Sequence, residues 1–138
     1  MKRERAILDE SAKPLERSQV QGNQAMRVLV CGGRDYKDKD ALFKYMDTLH
    51  NERKISLVIN GGASGADTLA AIWASWTGIK TRTYFAKWRT EGRAAGFIRN
   101  RRMLDEGKPG LIVAFPGGKG TRNMIRLARE YGIEVLQP

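Results

Sequence analysis

Three stretches of this chain set two or more glycines beside a basic or hydroxyl side chain. They are Gly32-Gly33-Arg34-Asp35, Gly61-Gly62-Ala63-Ser64-Gly65-Ala66-Asp67 and Pro116-Gly117-Gly118-Lys119-Gly120-Thr121. Glycine reaches φ > 0 and, lacking a Cβ, lets an anion come close to backbone N–H groups. Those amides, with a helix N-terminus behind them, make a phosphate cradle. Ser64 and Thr121 add hydroxyl donors. None of the three closes a GxxxxGK[ST] P-loop and none is the GxGxxG dinucleotide fingerprint, which argues against an ATPase or an ordinary NAD-dependent dehydrogenase. Two carboxylates lie in these loops. Asp35 reads as a turn former and Asp67 as a first-turn helix residue favoured by the dipole. Either could instead hold a ribose hydroxyl, or supply a carboxylate for chemistry.

A second group of candidates is basic. Residues 80–102 hold eight Lys and Arg against one acid, Glu91, and so carry seven of the ten surplus charges of the chain. Clustered like charge destabilises a fold unless something offsets it, so an anionic partner is expected. Lys87, Trp88, Arg89 and Arg93 fall in a loop, and Arg99, Asn100, Arg101 and Arg102 on the helix beyond it. Arg99 and Arg102 share a helix face. Arg93 or Arg99 could grip phosphate with two donors, and Trp88 reads either as a stacking surface for a base or as a core or lid aromatic. Arg101 and Arg102 read as a solvated face.

The elements that must position these residues follow from periodicity. Apolar runs at 27–31, 55–59 and 111–115, a weakly alternating run at 80–85 and a short run at 133–136 read as strands. Between them lie helical patterns, capped by Asp38 or Asp40 in the first case, at 65–76 in the second, then at 94–105 and 120–131, with Gly78 and Gly132 as stops. Strands alternating with helices mean right-handed crossovers and a Rossmann-like, doubly wound α/β fold with a mostly parallel five-stranded sheet covered on both faces. In the order 3-2-1-4-5, strands one and four flank the point where strand order reverses, so all three glycine loops would gather at the carboxyl edge, where such sheets bind ligands. His50 reads as a helix C-terminal cap and Cys31 as a core thiol.

The rest bounds the answer. The 138 residues make one domain, expected over 26–138, preceded by a polar arm at 1–25 that is expected to be mobile, with room for a short helix at 3–12. A composition of 41% hydrophobic and 29% charged residues is that of a globular protein. No apolar run approaches ~20 residues and the N-terminus lacks an h-region, so a cytosolic protein that does not enter membranes is expected. One cysteine and one histidine form neither a disulfide framework nor a zinc cluster, and nothing in the pattern calls for a metal or a cofactor.

Together with Gly92-Arg93-Ala94-Ala95-Gly96-Phe97-Ile98-Arg99-Asn100, the glycine loops resemble the YspA-like, YpsA-related branch of the SLOG superfamily, in order and spacing, over residues 26–138. The resemblance implies a Rossmann-like fold with a site for nucleotides or nucleotide-derived ligands at these loops. SLOG relatives include LOG phosphoribohydrolases, which cleave the N-glycosidic bond of nucleoside monophosphates, DprA-type binders of single-stranded DNA, and proposed sensors of nucleotide signals. LOG relatives also suggest a homodimer, by analogy of fold only. One position departs from the LOG pattern PGGxGTxxE: its glutamate is Met124 here, which neither ionises nor moves a proton.

The expected function is binding or sensing of a phosphorylated nucleotide-like ligand, such as an ADP-ribose-like molecule. Gly32, Gly33, Gly61, Gly62, Gly65, Pro116, Gly117, Gly118 and Gly120 would shape the pocket. Arg34, Lys87, Arg93 and Arg99, with Ser64, Asn100 and Thr121, would make polar contacts, and Trp88 would stack. Two alternatives stand: a nucleotide N-glycosidase using Asp35 or Asp67, and a single-stranded nucleic-acid binder using residues 80–102.

Overall fold

The computed structural model describes residues 25–138; the arm expected at 1–25 lies almost wholly outside them. Five strands, β1 (Met26–Cys31), β2 (Ile55–Asn60), β3 (Lys80–Thr83), β4 (Leu111–Ala114) and β5 (Glu134–Leu136), form one sheet in the order β3-β2-β1-β4-β5. Every pairing is parallel, with Val28 opposite both Val58 and Leu111. The helices are α1 (Lys39–Glu52), α2 (Ala66–Thr77), α3 (Trp88–Glu91), α4 (Ala95–Gly107) and α5 (Lys119–Glu130), with a 3₁₀ turn at Gly92–Ala94 joining α3 to α4.

Strand pleating sorts the core into two halves. Val28 and Val30 of β1 face α1 and α2, packing with Leu42, Met46 and Trp73. Leu29 and Cys31 face the opposite way, toward Met103 and Leu104 of α4 and Met124 and Leu127 of α5. With both faces covered, the central strands are apolar at consecutive positions, which is why β1 and β4 read as unbroken hydrophobic runs. β3 is an edge strand with all four residues exposed, and its alternation is correspondingly faint.

Local signals set most boundaries. Asp38 caps α1, its carboxylate accepting from Ala41 N–H at 3.1 Å. Gly78 ends α2 in the left-handed conformation (φ 81°), a shape that costs any residue with a Cβ. His50 does not cap α1 through its carbonyls: its Nδ1 accepts the Ile55 N–H at 2.9 Å, tying the helix end to the start of β2. The segment 87–93, expected as loop, winds instead into α3 and the 3₁₀ turn, so Trp88 and Arg93 sit on short helical turns. No helix among the described residues is long and apolar enough to cross a membrane.

Candidate functional site

The strand order reverses between β1 and β4, and there the two loops that follow them are stitched together. Gly33 N–H donates to the Pro116 carbonyl at 2.8 Å. The loop after β2 packs beneath them: Ala66 N–H donates to the Gly33 carbonyl at 3.3 Å and Ser64 Oγ to the Arg34 carbonyl at 3.2 Å. At Gly65 (φ 78°) a Cβ would run into the Gly33 and Arg34 carbonyls, so only glycine allows the two loops to lie this close. Gly65 therefore supports the site from below and borders neither of the two spaces described next.

Above this junction opens a cleft of about 840 Å³. Its wall from the first loop is Gly32, Gly33, Arg34 and Asp35; from the third, Pro116, Gly117, Gly118, Gly120 and Thr121. Asp67, Trp88, Arg93, Arg99 and Asn100 complete it. Gly61, Gly62 and Ser64 line a neighbouring compartment of about 270 Å³ instead, together with Phe85. Lys87 lines neither; its carbonyl accepts the Thr90 and Glu91 amides at the start of α3. Residues the sequence did not single out also border the main cleft, among them Tyr36, Lys37, Phe97 and Lys119.

The three glycine loops differ in what their amides do. In the second loop they are committed inward. Gly61 and Ala63 N–H donate to Asp67 Oδ2 at 2.9 and 3.3 Å, and Gly62 N–H donates to Asn60 Oδ1 at 2.8 Å. In the third loop the reverse holds. Gly118 is the N-cap of α5 and brings no side chain, and the first helical bond runs from Arg122 N–H to the Gly118 carbonyl at 3.0 Å. The amides of Lys119, Gly120 and Thr121 thus precede the hydrogen-bond ladder and, with the positive end of the helix dipole, border the cleft. A Cβ at Gly118 or Gly120 would meet nothing within 4 Å.

The buried charged groups of the cleft are held by neutral polar partners. Arg99 donates through Nη1 to the Gly61 carbonyl and through Nε to Asn100 Oδ1 at 3.0 Å. Asn100 is buried, and its Nδ2 donates to the Gly120 carbonyl at 3.1 Å and to Asn123 Oδ1 at 3.0 Å. One side chain therefore fixes both the Arg99 guanidinium and the first turn of α5. Burial pulls the Arg99 guanidinium below its ordinary value, opposed by the nearby Asp67 carboxylate. Burial likewise raises Asp67 above the usual carboxylate range, opposed by its two backbone donors and by Arg99. Cys31, beneath the cleft, is pushed up chiefly by burial and also by Asp67, which keeps it a thiol. Asp35 is exposed on the rim, while Asp67 is only 6% exposed and already accepts two amides.

The remaining cations are shared out. Arg34 stands over Trp88, its Cζ 5.5 Å from the ring centroid, and Trp88 is half exposed rather than in the core. Arg102 lies 3.6 Å from Glu91, and Arg101 donates to the Tyr131 hydroxyl at 3.4 Å. Met124 is fully buried against the sheet and does not border the cleft.

A parallel doubly wound sheet with a glycine-walled cleft at its switch point defines a Rossmann-like α/β domain. The chain belongs to the YspA, cpYpsA-related SLOG family, whose sequence pattern matches residues 26–90. It is also similar to the Gene 61 protein of Mycobacterium phage D29, 35% identical over 119 residues, spanning 80% of this chain and 94% of the phage protein.

Proposed function

We propose that this chain binds a nucleotide or nucleotide-derived ligand carrying a phosphate group, with the phosphate at the N-terminus of α5. SLOG membership points to nucleotide-related function. The observation that carries the reading is the uncapped first turn of α5: amides of Lys119, Gly120 and Thr121 without a capping side chain, bordering a cleft that also holds Arg34, Arg93 and Arg99. Amides and a helix dipole supply a fixed positive site, and the guanidiniums add charge. Trp88 offers its exposed ring to a base.

The reading is one of binding rather than hydrolysis. Asp67 is engaged by the loop it organises, and position 124, where LOG relatives carry glutamate, faces the core. Titration calorimetry with nucleoside 5′-monophosphates, ADP-ribose and cyclic nucleotides tests it. Gly118→Val adds a side chain where the structure has open space, so folding should be kept while the approach to the α5 amides is blocked and affinity lost. Unchanged affinity in that variant sinks the cradle. Release of free adenine from AMP, abolished by Asp35→Asn in a folded protein, would establish the hydrolase instead.

A further inference from the structure

The compartment beside the main cleft has a lining the phosphate reading leaves unused. Arg34, Ala63, Trp88 and Arg99 border both spaces, so the two are neighbours across a shared partition. Phe85 borders only the smaller one and is 67% exposed, its ring lying over Gly62. The floor is the backbone of Gly61 to Ser64. Its amides at 61, 62 and 63 are donated to Asp67 and Asn60, so this floor has no N–H groups to give an anion at those positions. A flat aromatic wall left in water, over a floor whose amides at 61 to 63 are already engaged, suits an apolar face with polar edges better than a second phosphate. The partition itself is cationic. Arg99 spends Nε and Nη1 within the protein, whereas Nη2 has no acceptor among the described residues and lies beside Gly96, 3.8 Å from where a Cβ there would stand. Arg34 stands at the Trp88 ring on the same boundary.

We infer that the compartment walled by Phe85 is a second base subsite, so that the ligand is a 5′-phosphorylated dinucleotide rather than a mononucleotide. This rests on the reading of α5 as the phosphate site. The terminal phosphate sits on the α5 amides and the first nucleoside fills the main cleft. The linking phosphodiester crosses the partition at Arg34 and Arg99, and the second base stacks on Phe85. Each piece meets matching chemistry: amides and a dipole for the dianion, guanidiniums for the monoanionic linker, an aromatic ring for the base.

The experiment is calorimetric titration of the full chain with the four nucleoside 5′-monophosphates and the four matching 5′-phosphorylated homodinucleotides. At least one dinucleotide should bind about 5- to 150-fold more tightly than its mononucleotide, the range a single base–aromatic stack supplies. Phe85→Ala removes an exposed ring and should cancel that gain while leaving mononucleotide affinity unchanged. Mononucleotide binding with no dinucleotide gain, or a gain that survives Phe85→Ala, overturns this inference and leaves the phosphate site standing. Failure of all eight probes to bind overturns this inference, and the phosphate site falls with it only if ADP-ribose and the cyclic nucleotides also fail to bind.

Discussion

Asp67→Ala is the perturbation that separates a structural carboxylate from a functional one. Asp67 Oδ2 accepts the Gly61 and Ala63 amides, and the residue is 6% exposed, so truncation leaves two donors in the loop without an acceptor. At ~1–3 kcal/mol for each orphaned donor, the loss is ~2–6 kcal/mol, a large share of the ~5–15 kcal/mol that holds a typical domain. For a chain of this size, a loss near the middle of that range lowers Tm on the order of 15 °C. Asp67→Asn keeps an oxygen where the amides need it and should cost about 1 kcal/mol or less at low pH, where the native carboxyl is also neutral. Thermal melting by circular dichroism reads both. An Asp67→Ala Tm within about 2 °C of the parent would refute the clamp and return Asp67 to the ligand or to catalysis.

The pH dependence supplies an independent sign. Burial holds the folded Asp67 carboxyl above its ordinary value despite the two amides and Arg99. Folding therefore favours the protonated form. The stability this group contributes is fully present below the unfolded value of about 4 and is lost as pH rises through the folded one. Asp67→Asn cannot ionise, so it should gain on the parent protein as pH rises from about 4, after which the difference between them stays constant. If the parent gains on the variant over that window, hydrogen bonding outweighs desolvation and the assignment of cause is wrong.

Other expectations concern the loops and the missing glutamate. Gly65→Ala meets both a left-handed backbone and the Gly33 and Arg34 carbonyls, and should cost about 2–5 kcal/mol in urea denaturation. Gly78→Ala also has a positive φ (81°) but the ordinary left-handed ψ of 24°, against −129° at Gly65, and open space around the new methyl, so it should cost only about 1–2 kcal/mol; a loss at Gly65 no larger than at Gly78 would show that neither its backbone nor the close approach of the loops matters. Met124→Glu restores the residue of the LOG pattern, but at a fully buried position it should destabilise by more than about 3 kcal/mol without producing base release from AMP. A stable Met124→Glu protein that frees adenine would show that position 124 can reach the cleft.

The strands, helices and sheet order were legible because the physical signals are local or regular. β1 and β4 are apolar at every buried position since both sheet faces are covered, and α1, α2, α4 and α5 keep helical spacing of their core residues. α3 was not legible: four residues, Trp88–Glu91, are too few to show a period. Nor was the division of labour among the glycine loops. Their compositions look alike, yet the amides of the second serve Asp67 and Asn60 while those at the start of α5 have no such partners. That difference depends on how the chain folds back through space, and spacing does not encode it. Asn123 was missed although a signal existed. It lies beside Met124 and one turn before Leu127, as Asn100 lies one turn before Met103 and Leu104, and an asparagine set into a buried helical stripe needs a buried partner. Here each is the other's partner.

The charge of residues 80–102 takes a different meaning once each cation is placed. A polyanion is held by cations free to meet its phosphates, and several of these are not free. Arg102 lies against Glu91, the one acid of the segment, and Arg101 is bonded to Tyr131, whose hydroxyl donates to Asp105 at 2.6 Å. Arg82 lies on Tyr84, with Cζ 6.0 Å from the ring centroid, and Arg99 is turned inward onto Gly61 and Asn100. Of the eight, Arg93 and Arg99 border the main cleft, while Lys87 and Arg89 are exposed outside it. The surplus is therefore no continuous track for a strand backbone. Apart from Lys80, Lys87 and Arg89, which are exposed outside the cleft, it divides into cations engaged around α3, α4 and the sheet edge and a smaller set around one glycine-walled opening, where the fixed dipole of α5 already favours an anion. That arrangement suits a short, compact anion better than a long one, because the fixed dipole of α5 and the cations that border the cleft converge on a single opening.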